Sequence, residues 1–182
     1  MIRTKDVTVN GCTYIIRHAL LDDAKFLSEL RLQIDGETEN LDREKGEDFL
    51  SEADFTKMIK NDTESPHSLF LVAEVDAKLV GFIRAVGNDL KRTKHLVEFG
   101  IGVLKDYWGY RIGRNLLTEL IKWADSHGIR KISLHVLETN VIAKSLYEKL
   151  GFEVEGTLKE DKLLSDGHYY NTIVMGRINK YN

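Results

Sequence analysis

The chain has 182 residues, 42% of them hydrophobic and 30% charged, with a formal net charge of −3; this is the balance of one globular domain over 1–182, not of a disordered tract. Its lone cysteine, Cys12, excludes an intrachain disulfide, and no Cys/His cluster has metal-ligand spacing, so no metal is expected. No apolar run nears the ~20 residues of a membrane span, Met1–Asn10 lacks the apolar middle of a signal peptide, and no dense Lys/Arg stripe points to nucleic acid; the expected setting is the cytoplasm, with neither membrane nor nucleic acid as partner.

In chain order, Cys12–Arg17 is β-rich. The apolar spacing of Leu21, Ala24, Phe26, Leu27, Leu30 and Leu32 predicts a helix over Leu21–Gln33. Phe49, Leu50, Phe55 and Ile59 predict a second over Glu47–Lys60. Ser68–Val75 and Leu79–Val86 read as strands joined by Asp76-Ala77-Lys78, a hairpin signal. His95–Val103 is a third strand, in which Val97, Phe99, Ile101 and Val103 alternate with Glu98, Gly100 and Gly102. Tyr110–His127 follows as a helix with Ile112, Leu116, Leu120 and Ala124 in one buried stripe and Gly128 as its stop. Lys131–Leu137 is a strand. Asn140–Leu150 is a short helix, expected to bury Ile142, Leu146 and Leu150. Phe152–Thr157 and His168–Met175 form a closing strand pair. The strand-helix-strand run from His95 to Leu137 implies a parallel pairing with a right-handed crossover. The fold class is α/β of α+β type, a mixed and mostly antiparallel twisted sheet flanked by helices.

The segment Val103–Leu117 runs from strand through a glycine-containing turn into a helix. Such a turn exposes backbone N–H groups at a helix N-terminus, which bind phosphate or pyrophosphate together with the helix dipole. Gly109 and Gly113 let backbone approach closely, and Arg111 and Arg114 add charge. The same pattern also describes an ordinary joint with glycines for packing. A dinucleotide fingerprint needs G-x-G-x-x-G, and Gly109-Tyr-Arg-Ile-Gly113 does not supply it. In Leu137–Phe152, Asn140 is placed to cap a helix whose Ala143 and Tyr147 share one face.

Asn140, Ala143, Tyr147, Gly151 and Phe152 match in full the motif Asn-x-x-Ala-x-x-x-Tyr-x-x-x-Gly-Phe, and the chain resembles the GNAT superfamily of N-acetyltransferases. The likeness covers nearly the whole chain in element order and is sharpest over Val97–Phe152. The family's other motif, Gln/Arg-x-x-Gly-x-Gly/Ala, corresponds to Trp108–Gly113, where only Gly113 keeps its place; Trp108 replaces the opening residue and Arg111 the middle glycine.

The resemblance implies acetyl-CoA as acetyl donor and a primary amine, small-molecule or peptide, as acceptor, attacked directly in a ternary complex. It implies a central parallel strand pair in the sheet and a homodimer through the last strands. It implies that Ile101, Gly102 and Val103 hold the acetyl and pantetheine portions. Gly109, Tyr110, Arg111, Ile112, Gly113 and Arg114 would hold the pyrophosphate. Asn140, Ala143 and Tyr147 complete the cofactor contacts, with Tyr147 as general acid to the thiolate. Glu98 is the candidate general base, directly or through water; an exposed or ion-paired sheet acid is the alternative. Asp35–Asp48 carries seven acidic and two basic residues beside the expected acceptor pocket, which Tyr169 and Tyr170 are also expected to face. A non-catalytic acyl-CoA-binding or regulatory module of the same fold remains the alternative function, and a nucleotide-binding domain a third.

Overall fold

The computed structural model describes residues 5–180; the chain ends, including the first residues of the polar Met1–Asn10 segment, lie outside it. Its strands are β1 (Lys5–Val9), β2 (Cys12–His18), β3 (Ser68–Val75), β4 (Lys78–Val86), β5 (Leu96–Val103), β6 (Lys131–Leu137), β7 (Glu153–Leu163) and β8 (Tyr169–Ile178). The helices are α1 (Ala24–Glu37), α2 (Glu52–Glu64), α3 (Ile112–Ser126) and α4 (Val141–Lys149). One eight-stranded sheet runs in the order β1-β2-β3-β4-β5-β6-β8-β7. All pairings are antiparallel except β5–β6.

Two hairpins show how local chemistry sets register. Asn10 and Gly11 (φ 51° and 80°) join β1 to β2, and Asp76 and Ala77 (φ 46° and 62°) join β3 to β4. Two consecutive positive φ values make the type I′ turn whose twist matches that of the strands. The first hairpin adds β1, a strand that the polar composition of Met1–Asn10 conceals.

The sheet is covered on both faces. A side chain at Gly113 in α3 would contact Ile101 and Val103, and Phe99 packs against Tyr147 of α4, so the odd residues of β5 face α3 and α4. A Cβ at Gly102 would lie 3.1 Å from Ile34 of α1 and 3.2 Å from Phe82, so the even residues face α1. Ile112, Leu116, Leu120 and Ala124 are all buried, as their spacing predicts.

The parallel pair is short. Leu96, Val97 and Glu98 pair with Lys131, Ile132 and Ser133, and there the ladder stops. Beyond it β6 pairs only with β8 and β5 only with β4. The sheet thus splays open, leaving Phe99–Val103 with one unpaired edge.

Several expectations shift. The second helix starts at Glu52, because Ser51 accepts from the Asp54 N–H and Asp54 accepts from the Ser51 N–H, a capping box; Phe49 lies outside it and is exposed. Leu21 and Phe26 are exposed, and the buried stripe of α1 is Ala24, Leu27, Leu30 and Ile34. In α4 the expected stripe holds only in part: Leu146 and Leu150 are half-buried, but Ile142 is 82% exposed, and Tyr147 is the buried residue. This helix lies against the Phe99 and Phe152 rings and turns its 143/147 face inward.

Candidate active site at the splayed strands

The turn between β5 and α3 is built to leave donors free. Lys105–Tyr107 forms a 3₁₀ turn, Trp108 is extended, and Gly109 (φ 87°) and Arg111 (φ 60°) have left-handed backbone. Helix α3 begins at Ile112, and its first intrahelical bond runs from the Asn115 N–H to the Arg111 carbonyl. No side chain caps this N-terminus and no acid lies in its first turn, whereas α2 and α4 are capped by Ser51 and Asn140. A helix start with unsatisfied N–H groups, no carboxylate and two flanking arginines has the donors and the charge to hold an anion.

Three contacts that sequence reasoning missed hold this turn. The Trp108 indole N–H donates to the Val103 carbonyl (2.8 Å), tying the turn back to β5. The buried Tyr14 hydroxyl of β2 donates to the Tyr110 carbonyl (3.2 Å) and accepts from the Asn115 amide (2.5 Å). Burial is the main reason that the Tyr14 pKa is raised, so the donor proton is retained. Tyr14 and Asn115 are 101 positions apart, and no local motif could have paired them. The expected cofactor residues separate here by exposure. Gly109, Arg111 and Arg114 are exposed and Tyr110 and Gly113 half-buried, whereas the Ile112 side chain belongs to the core. Gly102 leaves room for Ile34 and Phe82, while Gly100 faces open space.

At the gap, Tyr147 stands on the α3/α4 face. Its ring is 7% exposed and packs edge-on against Phe99 and Phe152, with centroids 5.9 and 6.0 Å away. Its hydroxyl makes no hydrogen bond among the described residues, and burial pushes its pKa up to about 12. The group is therefore a neutral donor at ordinary pH. Asn140 accepts from the Ala143 N–H (3.2 Å), and Ala143 keeps the adjoining helix face low.

On the other face a cavity of about 1000 Å³ lies among the end of α1, the segment 38–47, β6 and the β7–β8 hairpin. The acidic stretch from Asp35 does line it. Tyr169 and Tyr170 do not: Tyr169 is exposed and the Tyr170 hydroxyl donates to Asp166 (2.6 Å). Their places are taken by Thr172 and His135, which share the α1 face of neighbouring strands. Glu98 is exposed on that face at the last residue paired to β6, but it is not among the residues lining the cavity. Nothing local marks His135 or Thr172, because their position depends on where β6 parts from β5. Charge holds Asp35 of the lining in place. Asp35 lies 3.6 Å from Arg31 and 3.7 Å from Arg43, and Arg31 also reaches Asp48 at 3.4 Å. Burial pushes the Asp35 pKa up against the pull of both arginines.

The model of the acetyltransferase (GNAT) family matches residues 36–152, which run from the end of α1 through the turn, the gap and α4. The chain belongs to the GNAT family of acetyltransferases. Among its GNAT relatives, it is 32% identical over 109 residues to the L-amino acid N-acetyltransferase AaaT of Escherichia coli (strain K12), covering 59% of this chain and 67% of that one. It is similar in structure to a GNAT acetyltransferase from Streptococcus pneumoniae, with a TM-score of 0.88 and 27% identity over 91% of this chain and 99% of that one. It shares its fold with yncA, a putative acetyltransferase from Salmonella typhimurium solved with acetyl-CoA, with a TM-score of 0.78 and 18% identity over 90% and 92% of the two chains. The eight-stranded sheet, with one parallel pair among the described residues, is part of the fold that these proteins share.

Proposed function

We propose that this GNAT chain transfers the acetyl group of acetyl-CoA to a primary amine by direct attack within a ternary complex. The observation that carries this reading is the unpaired β5 edge, Phe99–Val103, lying between the uncapped start of α3 and the unbonded Tyr147 hydroxyl. An elongated, mainly neutral chain ending in a pyrophosphate suits that arrangement: amide groups along a strand edge, anion at the helix N-terminus, thiol end near a buried acid. The acetyl-CoA held by a protein of the same fold supports the choice of donor.

Each proposed role follows from charge development. The pyrophosphate accepts from the N–H groups of Ile112, Gly113 and Arg114, with Arg111 and Arg114 adding positive charge. Backbone N–H groups of Ile101–Val103 stabilise the oxyanion as the amine nitrogen bonds to the thioester carbon. The carbon–sulfur bond then breaks, Tyr147 gives its proton to the departing thiolate, and the second proton, shed by the acylated nitrogen, returns through water to the Tyr147 phenolate. The amine must lose a proton before attack, since a lysine-like amine has a reference pKa of ~10.4. Glu98, exposed beside the opening of the gap, receives that proton directly or through water.

A thiol-release assay with acetyl-CoA and a panel of amines tests the reading. Multiple turnovers with at least one amine are the expected result. Tight CoA binding with no acetyl transfer to any amine would instead identify a non-catalytic acyl-CoA-binding module.

A further inference from the structure

We infer that the acceptor is a linear di- or polyamine, held through its second ammonium in the acidic cavity on the α1 face of the sheet. The inference rests on the acetyl-transfer reading and adds the acceptor class to it. The first observation is the charge balance of the lining. Five lining carboxylates, Glu37, Glu39, Glu44, Glu47 and Asp161, make no ion pair among the described residues. Of the lining cations, Arg43 lies against Asp35 and Lys162 against Asp42, leaving Lys45 alone without one. Such a surface attracts an acceptor with more than one positive charge and repels a free carboxylate.

The second observation is independent of charge. Thr172 is 1% exposed and lines the cavity, yet its hydroxyl has no hydrogen-bond partner among the described residues. The Asp35 Oδ1 atom, also at the lining, is buried and unpartnered as well. Buried polar atoms are nearly always satisfied, and leaving one unpaired costs about 1–3 kcal/mol. Both atoms accept hydrogen bonds, and an ammonium brings three donors and no acceptor. The Arg43 Nε, a donor of the same lining without a hydrogen bond, already lies 3.7 Å from the Asp35 carboxylate, so Asp35 Oδ1 lacks a donor, and the Thr172 hydroxyl, able to donate or accept, can accept from the same cationic nitrogen.

Shape points the same way. The Ser165 N–H donates to Glu39 (2.9 Å) and Lys162 pairs with Asp42, so two contacts span the cavity between the segment after α1 and the β7–β8 hairpin. A slender unbranched chain passes beneath such a bridge more readily than a folded polypeptide.

The test compares spermidine and putrescine with butylamine, a panel of L-amino acids and a lysine-rich peptide, all with acetyl-CoA and thiol release as readout. Spermidine or putrescine should exceed butylamine in kcat/KM by roughly tenfold or more. Glu39→Gln combined with Asp161→Asn should shrink that ratio while leaving the KM for acetyl-CoA unchanged. Thr172→Val should lower kcat/KM for the diamine several-fold with Tm unchanged or raised, since it removes an unsatisfied hydroxyl; a purely structural threonine would lose Tm instead. Turnover with amino acids or with the peptide but not with diamines overturns the inference and leaves acetyl transfer standing. Butylamine as good as putrescine overturns it too. Absence of thiol release with every amine overturns the transferase reading and this inference together.

Discussion

Tyr147 joins two properties that rarely coincide, a buried ring packed against Phe99 and Phe152 and a hydroxyl with no hydrogen-bond partner among the described residues. A phenol this buried keeps its proton well above ordinary pH, which suits the acid role proposed for it. Tyr147→Phe should cut kcat by about 10²-fold or more, as general acid catalysis contributes on that scale, while the acetyl-CoA dissociation constant from calorimetry stays within about twofold. The same substitution has a signature in stability. Because the folded pKa of about 12 exceeds the reference value of 10.0, the wild-type contribution is complete below pH ~10 and is lost as pH rises toward ~12. Urea melts from pH 8 to 11.5 should therefore show a shallower alkaline loss in the Phe variant than in the wild type. Arg111 poses the opposite balance. Its φ of 60° costs an L-residue about 1 kcal/mol that glycine avoids. Arg111→Gly should raise stability by up to about 1 kcal/mol, or roughly 2–4 °C in Tm. It should also raise the KM for acetyl-CoA by about two- to fivefold through the lost charge. An unchanged KM would show that Arg111 does not meet the pyrophosphate.

Strand β5 illustrates how one element serves packing and chemistry at once. Its odd residues anchor α3 and α4, and its even residues include two glycines with different causes. A methyl at Gly102 would press on Ile34 and Phe82 at 3.1 and 3.2 Å, whereas Gly100 has no heavy atom within 4 Å. Gly102→Ala should destabilise by about 1–3 kcal/mol, the usual cost of overpacking, and Gly100→Ala should be neutral or slightly stabilising in the same thermal melts. The sequence alternation shows that both glycines lie on one face, but the identity of the helix pressing on that face appears only when α1 is docked. The same holds for α4. Its length and its Asn140 cap are readable locally, and its buried face is not. A short helix turns toward whichever rings lie beneath it, here Phe99 and Phe152.

At the scale of the molecule the decisive feature is a parallel ladder that ends after three residue pairs. Two halves of one sheet diverge there, with the turn between β5 and α3 and Tyr147 on one side and the acidic cavity on the other. Acetyl-CoA lying along the unpaired β5 edge would bridge the halves. Saturation at about 100 times the dissociation constant should then add about 2.7 kcal/mol of stability, read as a rise in Tm that neither NAD nor ATP produces. A shift with NAD or ATP alone would favour a nucleotide-binding role.

The sequence by itself determined every element after β1, their order and the family. Strand alternation, the α3 stripe and the Asn140–Phe152 motif are all local patterns, read within a turn or two of the chain. Tertiary structure alone decided the position of the splay, the Tyr14–Asn115 brace under the turn, and the meeting of His135, Thr172 and the acidic segment around one cavity. Each of these joins residues from separate elements. Such contacts arise from how strands diverge and how helices dock, and those are properties of the assembled sheet with no trace in local spacing.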